Sequence, residues 1–223
     1  VHFTNFKVDA NPTDRRAWSI AEDHEGNIWL VSGSRESANG EGSGVYRYDG
    51  QRFDHFTSAD GLAGNDVLDI YADRDGYLWF GTRSGGLSRY DGDRFAVFTK
   101  ADGLVDDDVR DIAADAQGGL WFATGGGASH YDGKTFTNYT HRDGLANSIA
   151  RSLAIGAAGR VWVGSAEGGV SYFDGQRFVA VPIEHDLNPG NVDDLFRDQR
   201  GDWWFSISRG VLRAADRTGM MTS

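Results

Sequence analysis

Five tryptophans, Trp29, Trp79, Trp121, Trp162 and Trp204, stand at the same place in near-copies of one segment, separated by 50, 42, 41 and 42 residues. Residues 76–95 read GYLWFGTRSGGLSRYDGDRF, residues 118–136 read GGLWFATGGGASHYDGKTF and residues 159–178 read GRVWVGSAEGGVSYFDGQRF. A period of about 40 to 45 residues holding four strand-like segments is the pattern of a propeller blade. β-Formers alternate with Gly and Asp turns about every 8 to 12 residues, and no unit carries a stripe at helical spacing, which excludes helical repeats of similar length. The 31 glycines, 3 prolines and 13% aromatic residues fit a chain of many short strands and turns.

The second unit shows the plan. Strands are expected at Val67 to Ala72, Leu78 to Thr82, Leu87 to Tyr90 and Arg94 to Thr99, with turns at Asp73–Gly76, Ser84–Gly86 and Asp91–Gly92. The Asp-x-x-Gly turn recurs at Asp23/Gly26, Asp115/Gly118 and Asp198/Gly201, whereas the fourth unit has Gly156 in place of the aspartate. It is too short for a calcium loop and reads as a hairpin turn, with Asp bonding the turn backbone and Gly accepting positive φ. The repeated tryptophans read as packing between blades, each covering roughly 150–250 Å². After Gly210–Arg213 the last unit has no recognisable fourth strand. Phe3 and Phe6 precede Trp29 by 26 and 23 residues, as Phe53 and Phe56 precede Trp79, so the N-terminal strand is in register to complete the last blade. Such closure removes open sheet edges. The expectation is an all-β, single-domain β-propeller spanning 1–223, with five four-stranded blades; a six-bladed ring completed by further residues is the alternative.

The string LWFGTRSGGLSRYDGDRFAVFTKADGLVDDDV, Leu78 to Val109, resembles the two-component regulator propeller repeat, and the likeness runs over almost the whole chain. In that family the repeats build extracytoplasmic sensor domains of bacterial hybrid two-component systems, many of which respond to oligosaccharides. The resemblance therefore implies a ligand-sensing module outside the inner membrane. Sensors of the family carry many more repeats, then an immunoglobulin-like domain, a membrane span and a kinase, so five repeats alone read as an excised module or a free-standing relative. A weaker resemblance runs to propeller lyases of the virginiamycin B lyase type through a shared Gly-x-[Ile/Leu]-Trp-Phe motif, and no catalytic histidine carries over to a position here.

Composition narrows the partners. The net charge of −11 disfavours a nucleic-acid backbone or an anionic membrane. No cysteine is present, which removes disulfides, thiolate metal sites and cysteine nucleophiles. No apolar run approaches the roughly 18 to 20 residues of a membrane span, and the start at Val1 fits removal of a leader or upstream segment. No cofactor or metal is expected. The expected partner is a small-molecule or oligosaccharide ligand, with a protein partner or downstream signalling domains as further possibilities.

Positions that repeat hold the scaffold; positions that differ between blades are freer to form a site. One step after the repeated Val67, Val109, Ala150 and Val192 come Leu68, Arg110, Arg151 and Asp193, with Trp18 in the first unit. The turns between second and third strands bring Arg83, Glu167 and Arg209, and residues 33–42 form an insertion in the first unit. The candidate ligand set is Trp18, Arg83, Arg110, Arg151, Glu167, Asp193 and Arg209: an aromatic plane for a sugar face, with charged groups for hydroxyls or carboxylates. The competing reading pairs these arginines with neighbouring acids. Asp69, Asp111, Asp194, Ser19 and Ser152 occupy another repeated position and are expected to satisfy backbone groups of the innermost strands. Of six histidines, His141 and His185 fall on the candidate face, near Asp143, Glu167 and Glu184, while His55 and His130 fall in outer strands and His24 in a turn on the opposite face. Neither metal-ligand spacing nor a nucleophile motif accompanies them. The function expected is ligand binding by a sensor propeller; the alternatives are a protein-interaction scaffold, marked by an exposed apolar patch, and a lyase or lactonase with an axial site.

Overall fold

The computed structural model describes residues 17–32, 43–156, 159–182 and 190–214. Every regular element of length among them is a β-strand, and they form five antiparallel sheets. The first sheet holds β1 (Ala17–Glu22), β2 (Ile28–Ser32), β3 (Val45–Tyr48) and β4 (Phe53–Phe56). The second holds β5 (Val67–Ala72), β6 (Leu78–Thr82), β7 (Leu87–Tyr90) and β8 (Phe95–Phe98). The third holds β9 (Val109–Ala114), β10 (Leu120–Thr124), β11 (Gly127–Tyr131) and β12 (Phe136–Tyr139). The fourth holds β13 (Ala150–Ile155), β14 (Val161–Ser165), β15 (Val170–Phe173) and β16 (Phe178–Val181), and the fifth β17 (Val192–Arg197), β18 (Trp203–Ile207) and β19 (Gly210–Ala214). Strands pair in sequence order, so each sheet is an up-and-down blade. The strand at Val1–Phe6 expected to complete the fifth sheet lies outside the described residues. The chain divides into two compact units, Val1–Phe98 with the first two sheets and Thr99–Ser223 with the other three.

Four of the five sheets turn on an Asp-x-x-Gly hairpin. One Asp73 oxygen accepts the backbone N–H groups of Asp75 (3.0 Å) and Tyr77 (2.9 Å), while the other accepts the Trp79 indole N–H at 2.7 Å. Gly76 closes the turn at φ 87°, a conformation costly for any residue with a Cβ. Asp23, Asp115 and Asp198 repeat the arrangement with Trp29, Trp121 and Trp204. The aspartate thus fixes the hairpin and orients the tryptophan that packs on the neighbouring sheet. Within the first unit Trp29 lies 5.5 Å from Phe80 and 5.2 Å from Tyr90 of the second sheet. Within the second unit Trp121 meets Phe173 at 5.1 Å and Phe178 at 5.8 Å. Trp204 departs from this burial at 37% exposure.

The fourth sheet explains its missing aspartate. Trp203 of the fifth sheet lies 4.6 Å from Trp162, and both indoles are fully buried. A Cβ at Gly156 would stand 3.0 Å from both Trp162 Nε1 and a ring carbon of Trp203. The second tryptophan occupies the room that the carboxylate takes elsewhere, and both indole N–H groups are left without a partner among the described residues. Packing of two large rings offsets two unmade hydrogen bonds.

Connections between sheets reuse one turn. Thr57, Thr99 and Thr140 each cap a single 3-10 turn whose third residue, Asp60, Asp102 or Asp143, bonds back to the cap. The leucine that follows, Leu62, Leu104 or Leu145, is buried. Buried Ser88, Ser129 and Ser171 accept the N–H of the next connecting residue, Ala63, Val105 and Ala146.

Two consequences are measurable. Asp73→Ala leaves the buried Trp79 indole and two turn N–H groups unpaired, and should cost about 2–3 kcal/mol, read as a lower urea midpoint; Gly156→Asp, with Trp203 in the way, should destabilise as well. In the Tyr/Phe-Asp-Gly turns, backbone N–H bonds hold the carboxyls of Asp49, Asp91, Asp132 and Asp174 below the ordinary value of 3.8. Folded values below unfolded ones mean stability that is complete above about pH 4 and is lost as pH falls through the folded values. A pH series of melting temperatures should therefore be flat near neutrality and drop below about pH 4.

Candidate functional site

In all five sheets the first strand carries a β-bulge. The registers shift between Ala17 and Ser19, Val67 and Asp69, Ala150 and Ser152, and Val192 and Asp194, and opposite Ala123 and Thr124 in the third sheet. The extra residues are Trp18, Leu68, Arg110, Arg151 and Asp193. The set that sequence variation singled out is therefore the bulge position, where a strand re-aims one side chain. First strands of successive sheets lie side by side within each unit, β1 with β5, β9 with β13, and β13 with β17, as expected for innermost strands.

In four of the five sheets the residue after the bulge links neighbouring sheets. Ser19 Oγ donates to Asp69 Oδ1 at 2.9 Å and accepts the Ile70 N–H at 3.1 Å. Asp111 Oδ2 accepts the Leu153 N–H at 2.6 Å, and Ser152 Oγ donates to the Val192 carbonyl at 3.1 Å. Asp194 accepts the Leu195 N–H. These groups hold strands, as the sequence suggested, and among the described residues no cluster of acidic or histidine side chains is arranged to hold a metal.

In the first unit the bulge residues are apolar: Leu68 is buried, and Trp18 packs against the cluster of Trp29, Val31, Leu62 and Ile70. Arg83 donates to Asp66 at 2.6 Å. In the second unit the bulge residues are charged and reach solvent. Arg110 bonds Asp108 of its own strand approach, and Arg151 reaches across to Asp193 of the next sheet at 2.8 Å. Glu167, in the turn after β14, is the one described non-glycine residue at positive φ, 56°, and accepts from Asn147 at 3.3 Å. Arg209 is exposed with no ion pair among the described residues. The structure thus brings Arg151 and Asp193 together, pairs Arg83 and Arg110 with acids outside the set, and leaves Glu167 and Arg209 on the turns. His141 Nδ1–H donates to the Leu145 carbonyl at 2.9 Å and so serves its own turn; His185 and residues 33–42 lie outside the described residues.

One arrangement escaped the sequence reading. At the opposite strand ends of the second unit, a cavity of about 500 Å³ lies between the third and fourth sheets, lined by Asp115, Gln117, Trp121, His130, Tyr139, Arg160, Val161 and Phe173 among others. His130 Nε2 is 2.9 Å from Asp115 Oδ2, and its ring lies 4.6 Å from that of Trp121. The signal was present in the repeat, where the residue opposite the tryptophan is Arg47, Arg89 and Arg213 in the first, second and fifth sheets and His130 in the third.

The family model described as two component regulator propeller matches residues 61–84 and 103–126. The chain carries two-component regulator propeller repeats. Among solved structures, it is similar to the extracellular domain of a putative hybrid two component system from B. thetaiotaomicron, at 20% identity and TM-score 0.78, over 96% of this chain and 30% of that one. It is similar to PorZ, a surface component of the type-IX secretion system of Porphyromonas gingivalis, at 21% identity and TM-score 0.67, over 92% of this chain and 33% of that one. Virginiamycin B lyase from Staphylococcus aureus aligns at 14% identity and TM-score 0.65, over 91% of this chain and 70% of that one. These likenesses establish the β-propeller fold. The chain spans about 30% of the length of the extracellular domains it matches. No curated protein matches it, and no described helix is long and apolar enough to cross a membrane.

Arg151 and Asp193 are 30% and 41% exposed, so the pair adds little to folding. Arg151→Ala should change stability by less than about 1 kcal/mol in thermal or urea melts, which makes the variant a clean probe of ligand binding.

Proposed function

We propose that this propeller is the ligand-binding module of an extracytoplasmic two-component sensor, and that a small polar ligand, a carbohydrate or acidic sugar, docks on the bulge face of the second unit. The carrying observation is the bulge position itself: one scaffold repeated in every sheet presents Arg110, Arg151 and Asp193 in turn, with Glu167 and Arg209 on the adjoining loops. Bulges recur beside binding and catalytic sites because they re-aim side chains, and arginine offers forked donors to hydroxyls and carboxylates. Glu167 at positive φ adds local strain of the kind found at such sites. The likeness to extracellular domains of two-component systems supports the sensor assignment and the extracytoplasmic location.

A second reading has its own observation. Phe196 (63% exposed), Trp204 (37%) and Val211 (64%) lie on the fifth sheet, where Phe196 pairs with Trp204 across the strands. This is the exposed apolar surface that a protein-interaction scaffold would use.

Thermal melts against a panel of neutral and acidic oligosaccharides separate the two. A ligand at about 100 times its dissociation constant should add roughly 2.7 kcal/mol, a rise of about 5–10 °C for a domain of this size. The rise should vanish in Arg151→Ala and in Asp193→Asn. A flat panel would overturn the ligand-binding reading and favour the scaffold.

A further inference from the structure

Three positions at which the third repeat departs from its siblings converge on the cavity between the third and fourth sheets. Opposite the tryptophan stands His130, where three other sheets have an arginine lying over the ring, Arg47, Arg89 and Arg213. Two residues before the tryptophan stands Gly119, where the others have Asn27, Tyr77, Arg160 and Asp202. A Cβ at Gly119 would collide with His130 Nε2 and stand 2.7 Å from Asp115 Oδ2, so the glycine is what lets the imidazole meet the carboxylate. On the fourth strand stands Tyr139, in register with Phe56 and Phe98 of the first two sheets. A shorter side chain, an absent side chain and an added hydroxyl thus belong to one cavity.

Its chemistry is set by what is already bonded. Asp115 accepts from the Gln117 and Gly119 N–H groups, the Trp121 indole and His130. A carboxylate facing four donors only accepts, so His130 Nε2 carries hydrogen and Nδ1 is the remaining nitrogen, with no partner among the described residues. Asp174 takes the backbone N–H groups of Gln176 and Arg177, and the Arg160 guanidinium lies 4.8 Å over the Tyr172 ring. The charged groups lining the cavity are therefore engaged by the protein. The polar atoms left for a ligand are His130 Nδ1 and the Tyr139 hydroxyl, neither of which bonds a described residue. Beside them Phe173 and Val161 give an apolar wall.

We infer that this cavity is a second binding site, independent of the bulge face, for a neutral ring compound bearing hydroxyl groups. One face of the ring lies on the apolar wall; its hydroxyls bond His130 Nδ1 and the Tyr139 hydroxyl. A volume of about 500 Å³ accommodates one or two six-membered rings. Charged rings are disfavoured because they would be desolvated with no unengaged counter-charge. Neutral sugars and simple phenols both have this chemistry, and the experiment distinguishes them.

Binding is read by saturation-transfer NMR and calorimetry on the whole chain. The probes are methyl glucoside, methyl galactoside and cellobiose in one arm and resorcinol and 4-methylphenol in the other, with glucuronate and benzoate as charged counterparts. The expected result is binding within one neutral arm, with the charged counterpart weaker by roughly ten-fold or more. His130→Arg, which installs the residue other sheets use, should keep the fold and abolish binding by filling the cavity. Tyr139→Phe, again a residue of the repeat, should weaken binding roughly three- to ten-fold through one lost hydrogen bond. No binding in either arm, equal binding of the charged counterparts, or binding unchanged in both variants would overturn the inference. Binding lost in Arg151→Ala but kept in His130→Arg would also overturn it, while leaving the bulge-face reading in place.

Discussion

A carboxylate that closes a hairpin and at the same moment takes an indole N–H is the joint on which four of the five sheets depend. The turn alone would fix where the chain reverses, and the tryptophan alone would supply apolar area without a direction. Bonded together, they make the local turn set the orientation of the ring that packs against a neighbouring sheet. Local and tertiary structure therefore agree at one residue, the consistency expected of a sequence with a single fold. Where the carboxylate is missing, a second tryptophan replaces it, so the space is filled although the bond is lost.

Most of this was legible in the sequence because the repeat is written in residues that act locally. The strands at Val67–Ala72, Leu78–Thr82 and Leu87–Tyr90 coincide with those expected, and the last of that sheet, Phe95–Phe98, is one residue shorter at each end. Asp and Gly at fixed spacing encode a turn wherever they occur. The exchange of Asp for Gly156 could be seen but not explained, since its reason, Trp203, lies 47 residues on and meets it only through the packing of two sheets. The bulges were equally hidden. Trp18, Arg110, Arg151 and Asp193 stood out because they vary, whereas the register shift that gives them a common role is a property of paired strands.

The cavity beside His130 shows the limit of reading variation on one chosen face. A histidine in an outer strand reads as scaffold until the residues around it are compared with their counterparts, Gly119 with Tyr77 and Tyr139 with Phe98. Each exchange is unremarkable alone. Together they remove side-chain volume from one place and leave a hydroxyl and an imidazole nitrogen there. On the bulge face, by contrast, most candidate arginines are engaged by aspartates, and their worth to a ligand depends on exchanging those partners.

The residue after each bulge has an evolutionary corollary. Ser19 and Asp111 accept backbone N–H groups of the neighbouring first strand, and Ser152 donates to a backbone carbonyl. Every polypeptide strand offers those groups, whatever its side chains. Where only these backbone groups are used, a sheet can be received by its neighbour without a matching side chain at that position. A chain built from such units can lengthen by copying, because a bond to backbone groups asks nothing of the neighbour's side chains.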